Sequence, residues 1–275
     1  MTPVGLVFVT TNEKAALIPA LSSLYASKPL RPLEVVVVDN ASSDGVGKEV
    51  AARWPEVQIL TQGSRAGLPA NLNRGIRATV SPYVMVCNPD LIFLPGAIDA
   101  LAGFLDAHPR AGIVAPKLVS PEGNTRPSAR RWYTVGSLLA LKLPWAAAQS
   151  RSVRASVYEE WDYARARRVD WVPCPATMIR RSVLERVGLM DERFRLYFDD
   201  VDLSFRMSQE GWEVWCEPAA EIIHLEQRGS ARPFSRAWLW HLRSLLQFWW
   251  KHKGLRPRIR PARPARTGDV TCRRS

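Results

Sequence analysis

Three carboxylates lie within four positions of the chain, at Asp199, Asp200 and Asp202, and a short strand-like segment then leads to His224. The acids begin a helical pattern of apolar residues that ends at Gly211. Carboxylates close to an imidazole can accept a proton and hold a metal-bound anion. Acids in the first turn of a helix also complement its dipole. Taken alone, these residues slightly favour an ordinary helix start. Together with the preceding elements, they favour a functional site.

The elements before this cluster predict an alternating α/β sheet. Val4–Val9 and Leu33–Val38 are continuous apolar runs, as expected for buried parallel strands. Further short strands are predicted over Val57–Leu60 and Tyr83–Cys87, with helical patterns between the strands. Strands that alternate with helices predict a doubly wound sheet. In such a sheet, ligands bind beyond the carboxyl ends of the strands.

Polar residues occupy two of these predicted strand ends. Asp39 directly follows the second strand, and Asp44 lies in the turn-rich segment beyond it. A carboxylate there can accept hydrogen bonds from a base N–H or from ribose hydroxyls. Asn88 and Asp90 follow the fourth strand across a stiff Pro89, where a hard divalent cation that bridges a diphosphate would need an oxygen ligand. Asp and Asn are also common turn residues, so this interpretation stays open for Asp44 and for the Asn88–Asp90 turn.

A loop that enters a helix lies between these two strand ends. The segment Arg65–Ile76 predicts a loop followed by a helix that begins near Asn71. We expect the backbone amides of this segment and the side chain of Asn73 to face a phosphate or a base.

Composition indicates one large globular domain with a small appendage, since the chain has 275 residues and is 47% hydrophobic. Its four cysteines are scattered without a C-x-x-C pair, which argues against a zinc site or disulfide framework and indicates a reducing compartment. The apolar N-terminus lacks a basic leader and predicts a strand. No apolar run reaches about 18 residues, so no transmembrane helix is expected.

The charge is positive and unevenly distributed. The net charge is +12, and the last 25 residues contain nine Lys or Arg and one Asp. A basic tail attracts polyanions. No nucleic-acid recognition motif is present, so we expect an anionic membrane surface as the polyanion. A disordered, solvated tail is the alternative.

Two segments are predicted to approach a membrane or an acceptor. Trp132–Glu160 predicts a mobile, partly helical flap, or an ordinary packed excursion. Ser235–Lys253 predicts an amphipathic helix that either lies in a membrane interface or docks its apolar side on the domain. Docking is favoured, with Trp240 and the following arginines still against lipid. We predict a catalytic domain over residues 1–234 and a helix with a basic tail over residues 235–275. The apolar side of the helix comprises Trp238, Leu239, Leu242, Leu245, Leu246, Trp249 and Trp250.

The order of the motifs resembles the family-2 glycosyltransferases, and within them the rhamnosyltransferase-type branch. The motifs are VVVVDNASSDG, RAGLPANLNRGI, CNPD, VDWV, VGLMDERFRLYFDDVDLSFR and EIIH. The resemblance covers roughly the first 255 residues. It implies a GT-A fold, which is a Rossmann-like nucleotide-binding sheet with a mixed acceptor half. It also implies a nucleoside-diphosphate sugar donor, a divalent metal (Mg²⁺ or Mn²⁺) and inversion at the anomeric carbon.

The resemblance also implies roles for the strand-end residues. Asp39 would contact the nucleotide base, and Asp44 and Asn73 would line the nucleotide pocket. Asn88 and Asp90 stand where the family has its D-x-D motif, so Asp90 would bind the metal, with Asn88 as a secondary candidate.

The remaining roles fall on the segment between Asp199 and His224. Asp200 stands at the position of the family's catalytic base, and His224 at that of a histidine near the metal and diphosphate. Asp199 and Asp202 are secondary candidates. Cys174-Pro175 replaces a Gly-Ala pair that normally lines the sugar and acceptor pocket, so this pocket departs from the family pattern.

These observations predict a metal-dependent transferase. The expected donor is a dTDP- or UDP-sugar, with rhamnose suggested by the branch, and the expected acceptor is a cell-surface glycan or polyprenyl-linked glycan. The expected location is peripheral, on the cytoplasmic face of the membrane. A catalytically inactive relative that acts as a binding module is the alternative. A sugar nucleotidyltransferase is disfavoured because Thr10–Lys14 is not a glycine-rich, basic phosphate loop.

Overall fold

The computed structural model describes residues 1–134, 157–158, 160–225 and 236–257. Most of the predicted flap and the tail beyond residue 257 lie outside these ranges. The N-terminal half alternates strands with helices, as predicted. Its elements are β1 (Val4–Thr10), α1 (Lys14–Ala26), β2 (Leu33–Asp39), α2 (Val46–Arg53), β3 (Gln58–Thr61), α3 (Leu68–Ala78) and β4 (Tyr83–Cys87).

The C-terminal half mixes strand directions. Its elements are β5 (Leu91–Phe93), α4 (Ala97–Ala107), β6 (Ala111–Val119), β7 (Thr125–Arg126), β8 (Arg167–Val169), β9 (Ala176–Arg180), α5 (Arg181–Val187), α6 (Asp199–Gln209), β10 (Glu213–His224) and α7 (Arg236–His252). The described strands form one sheet in the order β3-β2-β1-β4-β9-β6-β10-β5, with β7 beside β6 and β8 beside β10. The strands β3, β2, β1 and β4 are parallel, and β9 pairs antiparallel with both β4 and β6.

Residues of β1 alternate between two hydrophobic clusters, because successive side chains of a strand point to opposite faces. Leu6 and Phe8 join the cluster that includes α1 and α4, whereas Val7 and Val9 join the cluster that includes α3 and α5. Gly75 lets α3 approach β1 closely, since a Cβ atom there would lie 2.2 Å from a methyl carbon of Val7.

A third cluster joins α6 to α7 and corrects the predicted orientation of α7. Phe248 is buried against Phe198 and Phe205, and Ser244 is buried beside it. Several residues of the predicted docking side are exposed instead. They are Leu239, Leu246, Trp249 and Trp250. The physical reason is that α6 offers aromatic rings and buried carboxylates, which α7 matches with Phe248 and with basic residues near its C-terminus. None of the described helices has the length and apolar character needed to cross a bilayer.

Candidate active site

Asp39 ends β2 at the edge where the parallel strands finish. It lies in register with Thr10 of β1 and Thr61 of β3, and its side chain is buried. The backbone N–H of Ser42 donates to Asp39 Oδ1 at 2.9 Å. The carboxylate is therefore fixed at the sheet edge where ligands of doubly wound sheets bind.

Asp44 uses both carboxylate oxygens to hold two helix starts. The N–H of Lys14, the first residue of α1, donates to Oδ2 at 2.9 Å, and the N–H of Val46, the first of α2, donates to Oδ1 at 3.1 Å. Asn40 ties the same region to the loop before α3, because its Oδ1 accepts the N–H of Ala66 at 2.8 Å. These contacts fix the loop that follows β2 and give Asp44 a structural role.

Asn73 joins α3 to the loop that precedes α6, and this differs from the expected orientation toward a nucleotide. Its Nδ2 donates to the carbonyl of Met190 and to Glu192 Oε1, both at 2.8 Å. Its Oδ1 accepts the N–H of Met190 at 2.9 Å, and the side chain is buried. Both ends of the amide are thus engaged within the protein.

The register of β5 and β10 brings Asp90 and His224 together. The two strands pair antiparallel with His224 opposite Leu91, and the N–H of Leu225 donates to the carbonyl of Asp90 at 3.0 Å. As a result, His224 Nε2 lies 3.3 Å from Asp90 Oδ1. The two side chains form a small oxygen and nitrogen donor set at the end of the sheet.

This donor set suits a divalent cation that is shared with a substrate. The residues that the structure describes contain no group of three His, Cys, Asp or Glu side chains able to hold a metal by themselves. Mg²⁺ and related ions often take only one or two protein carboxylates and complete their coordination with water and substrate phosphates. The pair of Asp90 and His224 fits that pattern.

The Pro173–Pro175 loop connects this pair to the acidic helix start. Cys87 of β4 pairs with Ala176 of β9, and the N–H of Asn88 donates to the carbonyl of Pro175 at 2.7 Å. Burial raises the pKa of the Cys174 thiol, and the charges of Asp200 and Asp199 raise it further. The loop therefore lies beside both the Asn88–Asp90 turn and the acid pair.

A strained turn sets the first residues of α6. Tyr197 and Phe198 both have a φ of 66°, in the left-handed region that residues other than glycine rarely adopt. Phe198 is buried between the rings of Tyr133 and Phe248, at centroid distances of 5.4 and 5.5 Å. Aromatic packing thereby holds the turn from which Asp199 and Asp200 project.

Burial raises the pKa of both Asp199 and Asp200. For Asp200, the adjacent charge of Asp199 raises the pKa further, whereas Arg130 and the N–H of Val201, which donates to its Oδ1 at 2.8 Å, oppose the shift. A carboxylate with a raised pKa takes a hydroxyl proton more readily than an ordinary aspartate does. The acid pair thus has the chemistry of a general base.

Asp202 lies apart from this chemistry, at the contact between α6 and α7. Its side chain is fully buried, with Arg206 Nε at 2.8 Å, Lys251 Nζ at 2.6 Å and His252 Nε2 at 2.7 Å. Burial alone would raise the pKa of Asp202, but the hydrogen bond from His252 and the charges of Arg206 and Lys251 lower it. This environment makes Asp202 an interhelical anchor, which corrects its place among the secondary catalytic candidates.

Residues 6–188, more than half of the chain, match the model of Glycosyl transferase family 2. The chain belongs to glycosyl transferase family 2.

Two relatives with named activities indicate which branch of the family the chain resembles. The chain is 32% identical over 231 residues to an N-acetylglucosaminyl-diphospho-decaprenol L-rhamnosyltransferase of Mycobacterium tuberculosis, covering 78% of this chain and 74% of the relative. It is 32% identical over 80 residues to the rhamnosyltransferase WbbL of Escherichia coli, covering 29% of this chain and 30% of that protein. The predicted likeness to the rhamnosyltransferase branch and the predicted glycosyltransferase class are confirmed.

Solved structures share the fold. A mannosyltransferase of Pyrobaculum calidifontis in complex with GDP-Man and Mn²⁺ has a TM-score of 0.63 and 20% identity, covering 95% of this chain and 66% of that one. GalNAc-T7 with UDP, GalNAc and Mn²⁺ has a TM-score of 0.67 and 14% identity, covering 92% and 50%. The predicted GT-A architecture is confirmed.

The candidate site also contains residues that the sequence motifs did not indicate. Burial raises the pKa of Glu13. A backbone hydrogen bond from Thr11 lowers this pKa, and the nearby charges of Asp90 and Asp44 raise it further. Burial also raises the pKa of Tyr133, with Asp200 as the next cause. Neither residue belongs to a recognisable motif, and only tertiary folding places them beside the candidate acids.

Proposed function

We propose that this family-2 enzyme is an inverting transferase that moves a sugar from a nucleoside diphosphate to a glycan hydroxyl. The observation that carries the proposal is the acid pair at the head of α6, beside the loop that also contacts the Asn88–Asp90 turn. A dTDP- or UDP-sugar is the proposed donor, and a polyprenyl-linked or cell-surface glycan is the proposed acceptor. The name of the mycobacterial relative supports a rhamnosyl donor and a polyprenyl-diphosphate acceptor.

Asp200 is the proposed base. As the acceptor oxygen attacks the anomeric carbon, its proton passes to the Asp200 carboxylate, and the bond to the diphosphate breaks on the opposite face of the sugar. Asp199 supports this step because its adjacent charge raises the affinity of Asp200 for the proton. Positioned base catalysis of this kind contributes about 10²–10⁴-fold to a rate.

Asp90 and His224 are the proposed holders of a Mg²⁺ or Mn²⁺ ion, with Asn88 beside them. When bound, such an ion neutralises the charge that develops on a leaving diphosphate. The neighbouring structures with Mn²⁺ support this choice of cofactor. Asp39 is proposed to bind the base, while Asp44 and Asn73 hold the walls of the nucleotide pocket.

A peripheral location on the cytoplasmic face of the membrane is part of the proposal, because a polyprenyl-linked acceptor lies in the bilayer. The alternative is an inactive relative that only binds glycan or membrane. The presence of Asp90, Asp200 and His224 together favours the enzyme.

Calorimetric titration with nucleoside diphosphates, with and without Mn²⁺ or Mg²⁺, tests the proposal. We expect metal-dependent binding of one pyrimidine diphosphate. It should weaken about tenfold or more in Asp90→Ala, because loss of even an outer-shell partner of a metal typically costs about 10–100-fold in affinity. Asn88→Ala is the matched control within the same turn, with a smaller expected effect. A folded protein that binds none of the nucleotides would favour the inactive relative.

A further inference from the structure

The outward side of α7 forms a continuous apolar stripe, which we define as Leu239, Leu242, Leu246, Trp249 and Trp250. These positions follow the 3–4 residue spacing of one helical face. Four of them are among the large apolar side chains most exposed in the described residues, from 49% for Trp249 to 66% for Trp250. An exposed stripe of this size indicates an interaction surface.

The opposite side of α7 is fixed to the domain, so the stripe cannot simply turn inward. Ser244 Oγ donates to the carbonyl of Leu196 at 2.9 Å, and Phe248 packs in the third cluster. Lys251 Nζ lies 2.6 Å from Asp191 Oδ2 as well as from a carboxylate oxygen of α6. Rotating the helix would break these contacts.

Basic residues border the stripe. Arg243 lines the same shallow surface as Leu246, and Arg193 lies beside Trp250. Lys253 Nζ lies 4.6 Å from the ring centroid of Trp250. In the sequence, residues 254–275 follow directly and carry seven arginines and one aspartate. Positive charge therefore borders the stripe on its own helix, and the sequence that follows the helix is basic as well.

We propose that the stripe docks into the interface of an anionic lipid bilayer, with α7 lying parallel to the membrane surface. Tryptophan prefers the headgroup level of a bilayer, and apolar helix faces bordered by Lys and Arg bind anionic lipid. The basic border selects this occupant. A second copy of the chain would bring like charges together, which opposes association. A segment of the same chain that covered the stripe would gain no binding energy from the basic residues that border it.

The proposal rests on the proposed function only where it concerns the acceptor. Leu196, which accepts the Ser244 hydrogen bond, lies three residues before Asp199 at the start of α6. A bilayer in contact with the outward side of α7 would therefore be separated from the loop that leads to the acid pair by the width of this one helix. A polyprenyl-linked hydroxyl would be presented from that surface.

Co-sedimentation of the full chain with lipid vesicles tests the docking surface. We expect binding to vesicles that contain phosphatidylglycerol, and much weaker binding to pure phosphatidylcholine. The double variant Trp249→Ser/Trp250→Ser should bind the anionic vesicles about tenfold or more weakly, because two interfacial side chains are lost. The control is Leu30→Ser/Val80→Ser, which removes two exposed apolar side chains outside α7 and should bind like the unchanged protein.

Equal binding of the two double variants would overturn the proposal, as would equal binding to neutral and anionic vesicles. A protein that sediments as a dimer, with only the tryptophan variant monomeric and vesicle binding unchanged, would assign the stripe to a second copy. Unchanged vesicle binding with a lowered melting temperature would assign it to a segment of the same chain. Vesicle binding without any nucleotide binding would reject the proposed function and leave the docking surface intact.

Discussion

Asp200 and Asp202 lie two residues apart on α6, yet their surroundings push their pKa values in opposite directions. Burial and the charge of Asp199 raise the pKa of Asp200. Burial also acts to raise the pKa of Asp202, but the hydrogen bond from His252 and the charges of two further basic neighbours lower it. The difference shows that the charged and hydrogen-bonding partners, and not burial itself, decide whether the pKa of a buried carboxylate rises or falls.

Asp200→Asn should have the largest effect on this comparison. The amide cannot take the proton from the attacking hydroxyl of the acceptor. Turnover should therefore fall by about 10²–10⁴-fold while nucleotide binding is unchanged. Turnover with the natural acceptor and calorimetry with the donor nucleotide measure the two quantities. Glu192→Gln, a change at a carboxylate in the loop before α6, is the control and should keep most of the activity. Near-normal turnover in Asp200→Asn would exclude Asp200 as the base.

Asp202→Asn should mainly cost stability. Breaking a buried ion pair by removing one partner typically costs about 3–5 kcal/mol, and here three basic side chains would lose their shared buried carboxylate. Chemical denaturation should therefore show a large loss for Asp202→Asn. We expect little or no loss for Asp200→Asn, because Asp200 holds no comparable set of basic side chains among the described residues. Equal losses in the two variants would mean that the two carboxylates do not differ as described.

The sequence predicted the sheet better than it predicted the contacts of the candidate site residues. Continuous apolar runs such as Leu33–Val38 indicated buried strands because both faces of a parallel sheet are covered. Asp90 and His224 were both found by motif, but their 3.3 Å approach depends on the register of β5 with β10. No short turn joins β5 to β10, so turn geometry does not set their register from local sequence.

The helix α7 shows most clearly which contacts local sequence pattern does not predict. Its spacing of apolar residues correctly predicted an amphipathic helix, but hydrophobicity alone selected the wrong docking side. Lys251 and His252 face the domain because Asp202 lies buried opposite them. No local pattern identifies that partner, since the residues lie about fifty positions apart.

The smallest predicted effect concerns the pH dependence of turnover. Because the pKa of Asp200 is raised, the base is lost to protonation at a higher pH than for an ordinary aspartate, and turnover should increase as the pH rises through that value. Asp199→Asn removes the adjacent charge and should shift the acidic limb of the pH profile to lower pH. The measurement is turnover against pH for the unchanged protein and for Asp199→Asn. Asp202→Asn serves as the comparison, and its acidic limb should move less. An unchanged limb in Asp199→Asn would mean that the two acids at the head of α6 titrate independently, and that burial alone sets the proton affinity of the base.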